Sequence, residues 1–506
     1  MIHRLVSRPW VLATLAVGAC AAGLAPYYAT GAGGADSSGY VAAARLFATG
    51  HLSERARLIP ELESYRLDAR AVAPLGMNAA PGRRRLVPLY PPGFPLHLAA
   101  ALTLLPERAA IATTLAALLG ASLLLFAGLG RAMGLTWTWT ATGMALLGIQ
   151  PVFLFMAMQA MSDVAALVWA EVAMLGALLA RRDSRWAWLA GAGVGVAVAV
   201  RPSGIVLFAP VLVALPWTRA ALGRFVGAGV PWALGLGWYN AAAHGAPWLT
   251  GYPGHFGLFS REWIGPTLVH YATWIPRHYS WLVVALAVGM PWACRRQPRV
   301  AWVLVTWSLA LLGFYGAYRF THETWWYLRF VLPAYPAIIL AALLTAQHLV
   351  ARVAGRRWVV ELAAAAVVLT SAATAVAMQP ESREYRFIGE GEGRYRSAAL
   401  WFDGMVPRNA IVTGMQITGA LHLYTSRPFL RWEYVFDEDW PLVEQFVAAR
   451  GREFYALLFP FEEEEVFRRS WRPLPGRWTE VGRFDEVGLW RYEGPRPAAA
   501  EATAVR

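Results

Sequence analysis

Long apolar segments recur along the first three quarters of the chain, separated by short polar connections. Most of these segments are long enough to cross a hydrocarbon core of about 30 Å as an α-helix. We place them at about 10–29, 109–130, 137–156, 164–180, 186–200, 203–217, 225–243, 279–294, 300–318, 329–351 and 358–378. The pattern predicts an α-helical polytopic membrane protein with about 11 transmembrane helices.

The longest connection between apolar segments is at about residues 30–108. It contains an amphipathic pattern at 38–49, ended by Gly50, which predicts a short helix. A second apolar stretch at 94–105 is too short to span a membrane and is bounded by prolines. A long loop with helices of its own is typical of a functional segment rather than a simple connection.

The C-terminal part of the chain has a different pattern, because the apolar runs shorten and the charge rises from about residue 385. Strand-like runs alternate there with helical stretches, which predicts a small α/β domain. The strands are predicted at 410–413, 454–459 and 487–492 and the helices at 395–405 and 439–450. The predicted organisation is a transmembrane domain over 1–380, an α/β domain over 381–495 and a disordered tail over 496–506.

Composition supports the membrane prediction, and the charges predict its orientation. The chain is 57% hydrophobic and only 15% charged, well below the quarter that is usual in soluble proteins. It contains no lysine, and its arginines cluster in alternate connections between the apolar segments. With the N-terminus cytoplasmic, every short inner connection carries arginine, and the odd number of spans puts the α/β domain outside the cytoplasmic membrane. The charge of +13 therefore does not indicate a nucleic-acid partner.

Acidic residues at the predicted outer boundary are the candidates for catalysis. Asp36 precedes the amphipathic helix, where local sequence favours a helix N-cap. The helix dipole would favour its ionised form there, which also suits a general base. Asp163 begins the fourth span on the same predicted side. Glu171 lies two turns deeper, where an acid either faces a cavity or pairs with an arginine, and we leave both interpretations open.

Arg201 and Arg329 lie at the predicted outer side, against the orientation bias of the other arginines. One interpretation is that they bind an anionic headgroup, because guanidinium groups match phosphate oxygens. The other is that they snorkel to the membrane interface. His322 lies near Arg329 and could orient a substrate, and the aromatic residues 325–327 are typical of an interfacial belt.

Several other kinds of site are not indicated by the sequence. It contains no P-loop, no dinucleotide-binding glycine motif and no hydrolase nucleophile elbow. Four consecutive glutamates at 462–465 are most simply interpreted as a solvated helix face. No metal-ligand spacing is convincing, so we assign no cofactor and leave a divalent cation open.

Together these segments resemble the C-type membrane glycosyltransferases, which include protein O-mannosyltransferases and lipid A aminoarabinose transferases. The resemblance covers roughly residues 10–350. The motifs that carry it are Asp36-Ser-Ser-Gly-Tyr40, Tyr90-Pro-Pro-Gly-Phe-Pro95, Met161-Ser-Asp163, Arg201-Pro-Ser-Gly204, Tyr239-Asn240, Gly245-Ala-Pro247, Gly251-Tyr252 and Arg329-Phe-Val-Leu-Pro333.

The resemblance implies a membrane enzyme whose donor is a sugar on polyprenyl phosphate and whose acceptor is a lipid, a glycan or a protein. It implies transfer with inversion, with Asp36 as the general base and Asp163 orienting the acceptor or the Asp36 loop. From the resemblance and the residues together, we expect substrate or lipid phosphate to be bound by Arg201, Arg329, Tyr40, Glu171 and His322.

Two departures from the family pattern change what the resemblance implies. Ser37 stands where the family often has a second acid, which weakens any metal site. The lipid A transferases use a lysine in the proline-bearing stretch to hold the carrier phosphate, so here an arginine must replace it. Two rival functions also stay open, which are a transporter or flippase of lipid-linked sugars and a non-catalytic scaffold.

Overall fold

The computed structural model describes residues 8–57, 67–80, 85–252, 254–353, 356–378, 381–467 and 474–495. The predicted tail at 496–506 lies outside these residues. By contact, the chain forms two compact units. We refer to Met1–Thr30, Pro91–Asn240 and Tyr252–Gly389 as the helical unit, and to Gly31–Tyr90, Ala241–Gly251 and Glu390–Arg506 as the mixed unit. The first predicted loop therefore groups largely with the C-terminal residues, while the predicted boundary at 380 stays a prediction.

Helices make up most of the described chain. In order they are α1 (Arg8–Gly23), α2 (Ala35–Ala48), α3 (Gly93–Leu102), α4 (Glu107–Ala132), α5 (Trp137–Gly148), α6 (Pro151–Ala157), α7 (Ser162–Leu179), α8 (Ala187–Val200), α9 (Phe208–Ala214), α10 (Arg219–His244), α11 (Ile264–Tyr279), α12 (Trp281–Val288), α13 (Met290–Ala293), α14 (Pro298–Gly316), α15 (Tyr335–Val353), α16 (Arg357–Ala377), α17 (Ile388–Met405), α18 (Thr418–Tyr424), α19 (Trp440–Ala449) and α20 (Pro460–Phe467).

Each predicted apolar segment coincides with helical structure, although some segments are broken. Helices α5 and α6 are bent by 65° at their junction. The break is built into the sequence, because the Gln150 side chain accepts a hydrogen bond from the Phe153 backbone and Pro151 opens the new helix. Within the described residues five helices, or six if the bent pair is one span, are long and apolar enough to cross a membrane. The count of about 11 and the orientation stay predictions.

Two sheets belong to the mixed unit. Their strands are β1 (Glu54–Arg55), β2 (Met77–Ala79), β3 (Arg85–Pro88), β4 (Ile411–Gly414), β5 (Phe429–Arg431), β6 (Phe454–Leu458), β7 (Arg477–Phe484) and β8 (Val487–Gly494). The first sheet is antiparallel with the order β1-β3-β2, and the second has the order β5-β4-β6-β8-β7. Strands β5, β4 and β6 are parallel, whereas β8 and β7 run antiparallel. The structure thus confirms a small sheet near the C-terminus.

The second sheet is buried where the sequence is most apolar. Every residue of β4 and β6 is buried, as expected for parallel strands with helices packed on the sheet. Helix α17 contributes Ala398, Ala399 and Phe402 to this core, where they pack with Leu457 and Leu489 of the sheet. Helix α17 is therefore firmly anchored, and this matters because its first turns hold part of the candidate site.

The glutamates at 462–465 correct one prediction. Glu462 is fully buried and does not belong to a solvated face. Its carboxylate accepts hydrogen bonds from the Trp432 indole at 3.0 Å and from the Met415 backbone at 2.8 Å. Burial raises the pKa of Glu462 to about 7. The physical reason is helical spacing, because Glu462 and Val466 lie four residues apart on the buried face of α20.

Candidate active site

Asp36 lies in the first turn of α2, within the mixed unit. The helix N-cap is Gly34, with an extended backbone, so the prediction that Asp36 is the N-cap is wrong by two residues. Its carboxylate Oδ1 accepts a hydrogen bond from the Tyr90 hydroxyl at 2.6 Å. The residue is partly buried, and the positive end of the helix dipole favours a negative charge at this position.

Tyr90 reaches Asp36 because two glycines let the chain pack closely beside α2. A Cβ atom on Gly39 would lie 2.6 Å from the Tyr90 ring and 2.6 Å from the Gly76 Cα atom. Gly76 itself has a φ of +83°, which favours glycine. Tyr40 is buried, and its ring lies 4.6 Å from the Tyr90 ring. The structure thus places Tyr40 behind Tyr90, and a contact between Tyr40 and substrate stays a prediction.

Glu392, at the start of α17, contacts the residues on both sides of Asp36. Its Oε2 atom accepts hydrogen bonds from the Gly33 backbone N–H at 2.6 Å, from the Gly34 N–H at 3.1 Å and from the Ser37 hydroxyl at 2.7 Å. Desolvation raises the pKa of the Glu392 carboxyl, and the negative charge of Asp36 raises it further, although the hydrogen bonds act in the opposite direction. The sequence prediction missed this residue.

Asp163, Arg201 and Arg329 come together in the helical unit. Asp163 is fully buried in the first turn of α7. Its Oδ1 atom forms an ion pair with the Arg201 guanidinium at 2.7 Å, and its Oδ2 atom lies 4.0 Å from the Arg329 guanidinium. Arg201 also donates a hydrogen bond to the Ser162 hydroxyl at 2.9 Å. Two guanidinium groups thus share one carboxylate, and this trio carries one excess positive charge.

The sequence Arg201-Pro-Ser-Gly204 explains how Arg201 reaches Asp163. A residue before proline avoids the helical conformation, so α8 ends at Val200 and Arg201 is extended, with φ −146° and ψ 125°. A 3-10 helix at Pro202–Leu207 then turns back against α8. A Cβ atom on Gly204 would lie 2.7 Å from the Ala197 carbonyl carbon, so glycine is required for this close packing.

Arg329 is held among aromatic rings. It lies on the 3-10 helix Trp325–Ala334. Its guanidinium lies 5.1 Å from the ring centroids of both Trp326 and Phe330, within cation–π distance. The side chains of Arg329 and Arg201 are only 10% and 16% exposed. Both guanidinium groups thus face Asp163 inside the helical unit, and anion binding by them stays a prediction.

An apolar cleft opens beside Arg201 in the helical unit. Its walls include Leu207, Leu311 and Phe330, with Arg201 and Ser203 as polar groups. The Tyr315 hydroxyl donates a hydrogen bond to Ser203 at 2.6 Å, or accepts one from it, and its ring stacks on Phe330 at 5.4 Å. The cleft is narrow and mainly apolar, with the Arg201 guanidinium on its wall.

Glu171 and His322 do not join these clusters. Glu171 is fully buried in α7, and its polar neighbour is Ser122 of α4. No arginine pairs with Glu171 in the described part of the chain, so that alternative is not supported. The His322 ring stacks on Trp263 at 5.4 Å. Contacts of Glu171 and His322 with substrate stay predictions.

The sequence leaves open whether the site binds a divalent cation. Among the residues that the structure describes, no three His, Cys, Asp or Glu side chains are grouped so that they could hold a metal ion.

Comparisons with known proteins give matches in structure. No protein-family model matches the sequence, and no curated protein does. ArnT from Cupriavidus metallidurans bound to undecaprenyl phosphate matches with a TM-score of 0.55 and 15% identity, over 96% of this chain and 98% of ArnT. The apo form of ArnT from the same organism matches with a TM-score of 0.55 and 14% identity, over 95% of this chain and 97% of ArnT.

A third match is the archaeal oligosaccharyltransferase AglB from Archaeoglobus fulgidus, solved with an inhibitory peptide and a dolichol-phosphate. It has a TM-score of 0.52 and 11% identity, over 97% of this chain and 75% of AglB. At such low identity the likeness is one of fold. The chain is a multi-pass membrane protein with the fold of the C-type (GT-C) membrane glycosyltransferases, as its motifs predict.

Proposed function

We propose that this chain is a glycosyltransferase of the cytoplasmic membrane. It takes a sugar from a polyprenyl-phosphate-linked donor and transfers it, with inversion, to a lipid, glycan or protein acceptor at the outer face. The observation that carries this proposal is the Asp163–Arg201–Arg329 cluster beside an apolar cleft, in a chain with the GT-C fold. The undecaprenyl phosphate bound to ArnT and the dolichol-phosphate bound to AglB support the class of donor.

The charge of the arginine cluster suits a phosphate that becomes more negative during the reaction. A polyprenyl-phosphate sugar is a phosphodiester with one negative charge. Once the sugar leaves, the carrier is a phosphomonoester with a charge of about −1.5 to −2 at neutral pH. Arg201 and Arg329 bring two positive charges, of which Asp163 balances one. The cluster would therefore attract the departing phosphate more strongly than the intact donor, which lowers the barrier to transfer.

Asp36 is the proposed general base. The acceptor hydroxyl or amine attacks the anomeric carbon, and the new bond forms as the bond from this carbon to the phosphate oxygen breaks. Attack opposite the leaving phosphate inverts the configuration of that carbon. The acceptor proton passes to the Asp36 carboxylate, whose orientation is fixed by the Tyr90 hydroxyl.

The test uses proteoliposomes that contain a labelled pool of polyprenyl-phosphate sugar. Asp36→Asn should lower transfer by about 100-fold or more, because proton transfer by a placed base contributes about 10²- to 10⁴-fold. Binding of the carrier should be unchanged. The matched control is Asp437→Asn, at an exposed acid of the same unit, which should transfer at the wild-type rate. Wild-type transfer by Asp36→Asn would reject Asp36 as the base.

The same assay separates the rival functions. Movement of the labelled carrier across the bilayer without a new glycosidic product would favour a transporter or flippase. Carrier binding with neither movement nor product would favour a non-catalytic scaffold. Formation of an inverted glycosidic product by the wild-type protein supports the enzyme.

A further inference from the structure

Three hydrogen-bond donors from residues 33–37 converge on a single carboxylate oxygen of Glu392. They are the backbone N–H groups of Gly33 and Gly34 and the Ser37 hydroxyl, at 2.6, 3.1 and 2.7 Å from Oε2. These donors flank Asp36 on both sides in the chain. Glu392 has no part in proton transfer or phosphate binding as proposed above, so these contacts need another explanation.

The first turn of α2 needs an acceptor from outside the helix. Backbone N–H groups at a helix N-terminus have no partner within the helix, and an N-cap side chain commonly supplies one. The N-cap here is Gly34, which has no side chain to do so. Glu392 places a carboxylate at this end of α2, where the helix dipole also favours a negative charge.

Glu392 is held on a rigid support. It lies three residues before Tyr395, on the same face of α17, and a Cβ atom on Gly33 would lie only 2.1 Å from the Tyr395 Cβ atom. The Tyr395 hydroxyl accepts a hydrogen bond from the Gln416 side chain at 3.0 Å. One and two turns further along α17, Ala399 and Phe402 are in the core of the second sheet. The position of residues 33–37 is thus tied to that core.

We propose that Glu392 is a positioning residue that holds residues 33–37, and through them the Asp36 carboxylate, in the orientation needed for proton transfer. Tyr90 orients the carboxylate itself, and Glu392 fixes the backbone that carries it. This inference rests on the proposed function, in which Asp36 is the base. It also gives the C-terminal part of the chain a role in the chemistry.

The first test compares Glu392→Ala and Glu392→Gln with Glu390→Ala, an exposed acid on the same helix. Glu392→Ala should lower kcat by about 10- to 100-fold, because a misplaced catalytic group costs that much, and should leave the donor KM unchanged. Glu392→Gln keeps an oxygen that can accept these hydrogen bonds, so it should restore most of the rate. Glu390→Ala should behave as wild type.

Several outcomes would overturn this inference. An unchanged kcat in Glu392→Ala would show that Asp36 does not depend on Glu392. A raised donor KM with an unchanged kcat would place Glu392 in substrate binding instead. An equal loss in Glu392→Gln and Glu392→Ala would show that the negative charge matters rather than the position of residues 33–37.

The second test does not require sugar transfer. Hydrogen exchange of a peptide covering residues 31–40 should be faster in Glu392→Ala than in wild type or Glu390→Ala, because two amides lose their acceptor. If the wild-type protein transfers no sugar but this exchange increases, the proposed function fails while the contact of Glu392 with the Asp36 segment stands. Unchanged exchange would refute that contact whatever the activity.

Discussion

Asp36 and Asp163 are each the second residue of an α-helix, yet their surroundings differ in chemistry. Asp163 is fully buried between the guanidinium groups of Arg201 and Arg329. Asp36 is partly buried and accepts a hydrogen bond from the Tyr90 phenol, while the carboxylate of Glu392 bonds to Gly34 and Ser37 on either side of it. Asp163 is thus held by two positive charges. Asp36 is held by the Tyr90 hydroxyl and by a backbone segment that is hydrogen-bonded to Glu392.

This difference indicates two different roles for acids that look alike in sequence. A base has to meet the proton that it removes, and Asp36 is partly accessible whereas Asp163 is fully buried. A buried carboxylate that pairs with two arginines is suited to holding those arginines in place. In metal sites, carboxylates that hydrogen-bond to a ligating side chain orient it in the same way. We therefore expect Asp163 to act through Arg201 and Arg329, whereas Asp36 acts on the acceptor.

The largest expected contrast is in stability. Asp163→Asn should lower the free energy of unfolding by about 3 to 5 kcal/mol, because it removes the counter-charge that Arg201 and Arg329 share in a buried site. Asp36→Asn should lower it by less than about 1 kcal/mol, since an amide oxygen can still accept from Tyr90. Thermal unfolding in detergent, followed by tryptophan fluorescence, measures both. Equal midpoints for the two variants would mean that the proposed division of roles is wrong.

The second contrast concerns the shape of the cation. Arg201→Lys keeps the positive charge but loses the planar fork that reaches both Asp163 and Ser162. Transfer should fall by about 100-fold, the usual loss when one group that stabilises developing charge is removed. Arg182→Lys, at an exposed arginine of the same unit, is the matched control. Wild-type transfer by Arg201→Lys would show that charge without geometry is enough.

The members of the arginine cluster could be singled out from the sequence, although not their contact with one another, because each departs from a strong local rule. Arg201 and Arg329 lie on the predicted outer side, where arginine is unusual, and Asp163 interrupts the start of an apolar segment. The long apolar segments likewise predicted the helices, because about 20 consecutive apolar residues is the length of a membrane-spanning helix. The same rules did not reveal the bend between α5 and α6, which depends on one side-chain cap by Gln150.

The contacts around Asp36 could be predicted only in part. Tyr90 belongs to a motif that the sequence analysis noted, but nothing local shows that its hydroxyl points at Asp36. Glu392 is more than 350 residues away in sequence from Ser37, to which it bonds. A hydrogen bond over such a distance leaves no periodic or compositional trace. The only trace of these contacts in the sequence is the presence of glycine at positions 33 and 39. The structure explains it, because a side chain at either position would collide with Tyr395 or Tyr90.

A third, smaller contrast uses the tyrosine beside Asp36. Tyr90→Phe removes the hydroxyl that donates to Asp36 and keeps the ring that packs on Tyr40. We expect kcat to fall about tenfold, which corresponds to roughly 1.4 kcal/mol and fits one hydrogen bond to a charged group. The donor KM should not change. Tyr434→Phe, whose ring packs against Arg70, is the control and should keep the wild-type kcat.

The smallest expected effect is at the other tyrosine, beside the arginine cluster. Tyr315→Phe breaks the hydrogen bond with Ser203 but keeps the ring stacked on Phe330. This bond holds Ser203 on the wall of the cleft, and a neutral hydrogen bond contributes about 1 kcal/mol. A displaced cleft wall should weaken donor binding by no more than that amount, so the donor KM should rise by about fivefold at most while kcat stays constant. Kinetics at saturating acceptor, with the labelled donor varied, measure this.

Tyr90→Phe and Tyr315→Phe each remove one oxygen atom, and they should affect opposite kinetic constants. A loss in kcat at Tyr90 reports an interaction that matters only when the proton moves. A rise in KM at Tyr315 reports an interaction already present when the donor binds. If Tyr315→Phe instead lowered kcat without raising KM, the cleft would not be where the intact donor binds. The hydrocarbon carrier would then have to lie against another apolar surface of the helical unit.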